Sequence, residues 1–238
     1  MNQYEEAVSQ RHQESTTNIF SRDYLVMKPL IQWLKNVAPS YTSGVLVDFG
    51  CGNKPYYRFF QPRVEKYIGV DITQNLFNTV DVVLEKPNAL PFENNSIDCV
   101  LSTQVLEHVS EPEQYLKEIS RVLRPGGRLI LSCPGSYMLH EEPHDYYRYT
   151  IYGLDYLFKK CNLKPLRIDT VGGAWRLMGQ IFLNHKAFAR KWTIPILSQV
   201  LYFAWSVTIN TIFSFLDNFN TNVKDVANYL LIAEKVKT

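Results

Sequence analysis

The eight residues Val-Leu-Val-Asp-Phe-Gly-Cys-Gly at 45–52 constrain this chain more than any other stretch, and Tyr-Ile-Gly-Val-Asp at 67–71 completes them. A short apolar run that ends in an acid and a Gly-x-Gly turn reads as a buried parallel strand opening into a loop. Glycines there let the backbone bend sharply and approach a ligand with no Cβ in the way. A second apolar strand ends in Asp71, about 20 residues on, the spacing at which a βαβ unit brings a carboxylate to ribose hydroxyls. The pair of segments therefore points to a cofactor that contains a nucleoside.

The surrounding pattern extends this unit into an open sheet. Apolar residues at Leu25, Val26, Leu30, Trp33, Leu34 and Val37 mark a helix over Asp23–Val37, expected to stop before Ala38-Pro39. Strands are expected at Val45–Phe49, Tyr67–Val70, Val80–Leu84, Ile97–Leu101, Arg128–Cys133, Arg167–Val171 and Asn228–Ala233. Helices fall between them, one starting near Pro55, one from Glu111-Pro112 to Leu123, and one over Thr150–Lys160. Pro125-Gly126-Gly127 reads as turn chemistry. Strands alternating with helices give an α/β fold, doubly wound, with a mainly parallel seven-stranded sheet and a helical insertion before the last strand. The expected organisation is an N-terminal arm and helix (1–40), a core (41–174) with a loop at 134–150, an apolar insertion (175–222) and a final strand (223–238).

Composition excludes several classes. A hydrophobic fraction of 46% with 20% charged residues belongs to a folded chain. A net charge of +2 without a dense Lys/Arg block argues against a nucleic-acid partner. The cysteines Cys51, Cys99, Cys133 and Cys161 lack ligand spacing and read as buried reduced thiols. The polar start, without an apolar h-region, suggests a cytoplasmic protein.

Trp192–Leu216 carries no charge, which raises the question of a membrane span. A single crossing would strand Asn228–Ala233 on the far side of the bilayer from its sheet. Pro195 also interrupts the segment. Ser198, Gln199, Ser206, Asn210 and Ser214 fall near one helical face, and Leu197, Val200, Leu201, Ala204, Ile212, Phe215 and Leu216 nearer another. The segment is expected to be a packed lid or dimer helix. The alternative is an interfacial helix on the inner face of a membrane, helped by Trp175, Trp192, Trp205 and Arg190-Lys191.

A dinucleotide site would need a third glycine, and Pro55 follows Gly50 and Gly52 instead. Four blocks settle the class by resemblance: VDFGCG (47–52), YIGVD (67–71), LPFENNSIDCVLSTQVLEHV (90–109) and EISRVLRPGGRLILSCP (118–134). In that order and spacing they resemble the class I S-adenosylmethionine-dependent methyltransferases, with a Rossmann-like core. The resemblance implies S-adenosylmethionine as cofactor, with Asp48, Gly50 and Gly52 around its methionine portion and Asp71 accepting from both ribose hydroxyls. It places Gln104 between the methionine moiety and the substrate mouth. Where the family usually has an acid before Leu-Pro-Phe, Lys86 stands, so Glu85 or Asn88 would serve the adenine amine.

Methyl transfer requires an O, N or C nucleophile held in line, and a base only if the acceptor must lose a proton. Candidates follow the fourth and fifth strands. His108 is one, read first as a hydrogen-bonded scaffold and second as a base. The block His140-Glu-Glu-Pro-His-Asp-Tyr-Tyr-Arg-Tyr-Thr150 is the other, similar to a subgroup that modifies glycans and sugars. His144 and Asp145 are its catalytic candidates, and Tyr147 and Arg148 its substrate contacts. Tyr146 and Tyr149 packing under the sheet edge, with Thr150 capping the next helix, is the plainer reading. His140 and His144 lack clear further ligands, so no metal site is expected. The acceptor is expected to be a small molecule, a sugar or a lipid-linked molecule, methylated on O or N. The alternatives are a C-methyltransferase of a quinone-like ring precursor and a methyltransferase-like binding protein without turnover.

Overall fold

The computed structural model describes residues 17–185, 195–220 and 224–237; Arg190, Lys191, Trp192 and most of the N-terminal arm lie outside them. The main-chain order is α1 (Tyr24–Tyr41), β1 (Val45–Phe49), α2 (Tyr57–Phe60), β2 (Lys66–Asp71), β3 (Val82–Val83) and β4 (Ile97–Thr103), then α3 (Pro112–Val122) and β5 (Leu123–Pro134). It continues with α4 (Ile151–Lys160), β6 (Leu163–Val171), α5 (Ala174–Asn184), α6 (Pro195–Asp217) and β7 (Asn228–Lys235).

The seven strands form one sheet in the order β3-β2-β1-β4-β5-β7-β6. Strands β1 to β5 run parallel, and β7 enters antiparallel between β5 and β6. Alternation along each strand sends neighbouring residues to opposite faces. Leu46, Leu101 and Ile130 pack with Leu34 and Trp33 of α1, while Val47, Val100 and Leu131 pack with Leu116 and Ile119 of α3. Both faces are covered, which is why these strands read as continuous apolar runs. Full burial of each such leucine, valine or isoleucine stabilises the fold by about 1.5–3 kcal/mol. Chain order reverses between β1 and β4, and ligands of such sheets bind beyond the carboxyl ends of the strands at that point.

Several boundaries differ from the sequence reading. Helix α1 continues past Pro39 to Tyr41. The third strand is only Val82–Val83, because Val80 and Asp81 belong to the approach to it. Strand β5 begins at Leu123, so Arg124–Gly127 is an irregularity inside a strand and not a turn between elements. Leu123 pairs with Ile97 and Arg128 with Cys99, and Gly126 has a positive φ of 80°. Strand β6 begins at Leu163, with its register shifted between Pro165 and Arg167, where proline leaves no N–H to donate.

The segment before β7 is helical as expected, and α5 and α6 pack on α1 through Leu25, Leu183 and Ile209. The orientation of α6 is the unexpected part. Its inward face is mixed: Ser206 and Asn210 are buried beside Ile209, and Asn210 Nδ2 donates to Ile19 O (2.7 Å) and Ser21 O (3.1 Å), while Gln199 is exposed. Its apolar stripe points outward, with Val200, Leu201, Phe203, Ile212 and Phe215 all exposed.

Candidate active site

The loop after β1 is held from below by β2. Gly50 N and Cys51 N both donate to Val70 O, at 2.8 and 3.1 Å. Gly50 has φ 79°, and a Cβ there would lie 2.4 Å from Val105 Cγ2, so only glycine fits. Gly52 N donates to Asp71 Oδ2 at 2.8 Å, while Asp71 Oδ1 accepts from Ile72 N at 2.7 Å. Asn75 Nδ2 donates to Gly52 O at 2.7 Å. Both polar groups of the Gly52 residue are thus clamped by the segment that follows β2. Asn75 was invisible to the sequence reading, since only the fold brings it back to the glycine loop.

Asp48 lies under this loop and is buried. Tyr67 donates its hydroxyl to Oδ2, and Oδ1 has no hydrogen-bond partner. Burial pushes the Asp48 carboxyl up to about 7 against the Tyr67 bond, with Asp71 adding to the rise and Lys54 opposing it. Lys54 pairs with Asp81 at 2.6 Å.

The other expected cofactor residues also fall along the carboxyl edge. Leu84 N donates to Asp71 O at 2.9 Å, so exposed Glu85 leaves the sheet beside Asp71. Asn88 is half-buried in a left-handed conformation, φ 61°. Gln104 also has a positive φ, 54°; its side-chain amide is turned onto β5, donating to Ser132 Oγ at 3.0 Å.

The loop after β5 folds back over the 3-10 turn Leu106–His108. Tyr146 N and Tyr147 N donate to Glu107 O (2.9 and 3.2 Å), and Tyr149 donates its hydroxyl to Leu106 O (3.1 Å). Thr150 caps α4 by accepting from Gly153 N at 3.1 Å, as its position implied. Tyr149 packs against the core, whereas Tyr146 is exposed.

Asp145 and Arg148, expected to face an acceptor, are instead committed to the loop. Arg148 grips Asp145 through both terminal nitrogens (2.6 and 2.7 Å) and donates to the carbonyls of Tyr137, Met138 and Tyr147. Asp145 Oδ2 also accepts from His140 N at 3.0 Å. A bidentate pair of this kind with its remaining donors satisfied positions backbone; it leaves no general base. Tyr147 is half-exposed, with its hydroxyl donating to Ser110 O at 3.1 Å. His144 Nδ1 lies 3.2 Å from the Tyr146 hydroxyl.

His108 holds a more central place. Its Nδ1 lies 2.9 Å from His144 O, and its Nε2 lies 3.8 Å from Glu107 Oε1 and 3.6 Å from Glu141 Oε2. Glu107 is fully buried, and burial pushes its carboxyl up to about 8, above what its own backbone and Arg148 recover. Burial, against the pull of Asp145, holds the His140 imidazole below the usual histidine range.

Beside this loop lies a cavity of about 760 Å³, lined by Tyr137, Met138, Leu177, Met178 and Ile181 among others. It opens between the end of β5 and α5.

Residues 47–131 match the family model described as a methyltransferase domain. An uncharacterised methyltransferase of Mycobacterium leprae is 30% identical over 109 residues, 42% of this chain and 40% of that one. A ubiquinone/menaquinone biosynthesis C-methyltransferase of Hahella chejuensis is 44% identical over 54 residues, 23% of this chain and 22% of that one. The chain thus spans less than half the length of these curated relatives. In fold it is similar to a phosphoethanolamine N-methyltransferase of Haemonchus contortus solved with S-adenosyl-L-methionine, with a TM-score of 0.59 at 16% identity, covering 100% of this chain and 61% of that one. Residues 47–131, which contain the glycine loop, Asp71 and Gln104, are a methyltransferase domain, and the fold around them is that of S-adenosylmethionine-dependent methyltransferases.

Proposed function

We propose that the protein transfers a methyl group from S-adenosylmethionine to an oxygen or nitrogen of a small or glycan- or lipid-linked acceptor that has an apolar portion. The observation that carries the cofactor reading is the clamp of Asp71 and Asn75 on Gly52 at the switch point of the sheet. The N–H groups of Gly52 and Ile72 fix the Asp71 carboxylate at the carboxyl edge, where such a carboxylate meets ribose hydroxyls. The buried, unpartnered Asp48 Oδ1 beneath the loop is an acceptor that suits a ligand bearing positive charge. The residues present therefore fit the cofactor.

When bound, S-adenosylmethionine supplies a methyl group on a sulfonium, displaced in line by the nucleophile. Asp71 would hold its ribose, the backbone of Gly50–Gly52 its methionine end, and Glu85 or Asn88 the rim of its adenine. Gln104 would divide the methionine end from the acceptor, its amide steadied by Ser132.

The cavity lined by Met138, Leu177, Met178 and Ile181 supports an acceptor with an apolar portion. The outward apolar stripe of α6 supports delivery from a membrane surface. Gln199–Asp217 is long and apolar enough to cross a membrane, but its buried Asn210 ties it to the protein. Methylation at a ring carbon of a quinone-like precursor is the second reading, favoured by the same cavity.

Incubation with methyl-labelled S-adenosylmethionine and cell extract, followed by partition, tests the proposal. Label in the organic phase supports a lipid or lipid-linked acceptor. Aqueous label moves the acceptor to a free sugar or metabolite and leaves α6 as a lid or dimer contact. No transferred label in either phase or in macromolecules, with cofactor bound, overturns turnover.

A further inference from the structure

We infer that Glu107, His108, His140 and Glu141 form a binding site for a divalent first-row transition-metal ion. Glu107 and His108 come from the turn after β4, and His140 and Glu141 from the loop after β5. The fold brings one ligand atom each from Glu107, His108 and His140 within 4.8 Å of one another. Glu141 Oε2 lies beside this cluster, 3.6 Å from His108 Nε2. Bonds of ~2.1 Å in a tetrahedron place ligand atoms about 3.4 Å apart, so this last pair already has the separation of two ligands on one ion.

The donor set is prepared from behind. His108 Nδ1 faces a carbonyl, His144 O at 2.9 Å, so it carries the proton and leaves the Nε2 lone pair toward the two glutamates. His140 Nδ1 lies 3.2 Å from both Met138 O and Asp145 Oδ2 and 3.3 Å from Arg148 Nη2; a proton on Nδ1 toward the two acceptors frees Nε2 in the same way. A histidine ligand with its other nitrogen anchored to a carbonyl or carboxylate is the usual arrangement around a metal. The Asp145–Arg148 pair thereby gains a purpose, because it holds the His140 backbone and ring together.

Glu107 gives an independent reason. Its side chain is wholly buried, and neither carboxylate oxygen has a hydrogen-bond partner. Burial disfavours the ionised form of a carboxylate that has no partner, and a cation at this point would offset that penalty. Two imidazoles with two carboxylates select manganese, iron, cobalt or zinc over magnesium or calcium, which favour oxygen alone. The four cysteines are buried and offer no competing exposed thiolate. Metal-free expectations from the sequence considered His140 with His144, but the structure turns His144 into a backbone support and substitutes His108.

The site adjoins the acceptor cavity, for the Tyr137 ring that lines the cavity packs edge-on to His140 at 5.4 Å. A bound ion there would hold an acceptor oxygen by direct coordination. That use rests on the methyl-transfer reading; occupancy by metal does not.

The test is titration of the metal-stripped full chain with Co²⁺, followed by visible absorption, and with Zn²⁺, followed by calorimetry. One ion per chain is expected, bound at least tenfold more weakly by His108→Ala and by His140→Ala, and equally well by His144→Ala and His185→Ala. Absence of stoichiometric binding, or equal affinity in His108→Ala and His140→Ala, overturns the site. Circular dichroism reports folding of each variant. If an alanine variant unfolds, Glu141→Gln at a partly exposed position decides instead, and undiminished affinity there counts against the site. S-adenosylmethionine affinity measured on the same samples separates the two ideas: lost metal binding with intact cofactor binding refutes only the metal.

Discussion

Asp71 and Asp48 stand one strand apart in the sheet, yet their surroundings assign them opposite work. Asp71 is partly exposed and anchors backbone N–H groups, so its charge is available at the cleft. On the proposed ribose-binding role, its replacement by alanine would remove two charge-assisted bonds to the cofactor, at about 1.5 kcal/mol or more each. Calorimetry should show S-adenosylmethionine affinity falling by about a hundredfold or more, and unchanged affinity would remove Asp71 from the site. Asp48 is buried with its folded carboxyl raised to about 7 from 3.8. Because the unfolded chain releases this proton first, Asp48 lowers stability progressively as pH rises from about 4 to about 7, and the full cost, about 4 kcal/mol, remains above that. Asp48→Asn should therefore match the native protein near pH 4 and exceed it at pH 8. Parallel denaturant melts at the two pH values check this, and an equal difference at both would refute it. Gly50 is limited by φ 79° and by Val105 at 2.4 Å from a built Cβ. Gly50→Ala should cost about 1–3 kcal/mol, read as a lowered denaturant midpoint.

Helix α6 is the element whose behaviour departs furthest from its composition. An amphipathic helix on a water-soluble surface ordinarily turns its apolar stripe inward. Here the Asn210 amide caps the carbonyls of Ile19 and Ser21 and, with Ile209 packed on Leu25, holds that face inward. Asn210→Ala should destabilise the protein by about 1–3 kcal/mol, since two carbonyls lose their donor. The outward stripe supplies an opposite expectation. Ile212→Gln combined with Phe215→Gln, both at exposed positions, should leave the melting temperature nearly unchanged while reducing flotation with anionic liposomes. Undiminished flotation would separate α6 from any lipid contact.

At the scale of the molecule, the sheet is a rigid plate whose carboxyl edge carries every functional feature described. The glycine loop, Asp71, Gln104 and the loop over Leu106–His108 all leave that edge from neighbouring strands. The α5–α6 pair extends the plate by packing on α1 through Leu25, Leu183 and Ile209, and it walls the cavity through Leu177, Met178 and Ile181. A ligand that binds only the folded chain stabilises it by mass action, about 2.7 kcal/mol at a hundredfold excess over its dissociation constant. For a domain of this size that corresponds to roughly 5–10 °C. S-adenosylmethionine should raise the melting temperature by that amount in the native protein and by far less in Asp71→Ala.

The glycine loop, the alternation of strands and helices, and the cap at Thr150 could all be read from the sequence by itself. These features are local, since a buried strand, a positive-φ glycine and a helix start each declare themselves within a few residues. The extent of β5 could not be read, because Pro125-Gly126-Gly127 has turn chemistry and only pairing of Leu123 with Ile97 keeps it in the sheet. Periodicity revealed two faces of α6 without saying which one is buried; that was decided by carbonyls about 190 residues earlier in the chain, together with Leu25. The block 140–150 announced concentrated chemistry but not its division of labour. Strand order alone sets the loop after β5 against the turn after β4, bringing His140 to Glu107 and His108 and seating Tyr146 and Tyr147 on the Glu107 carbonyl. Such pairings follow from which strands are neighbours, a property of the whole sheet that no local spacing encodes.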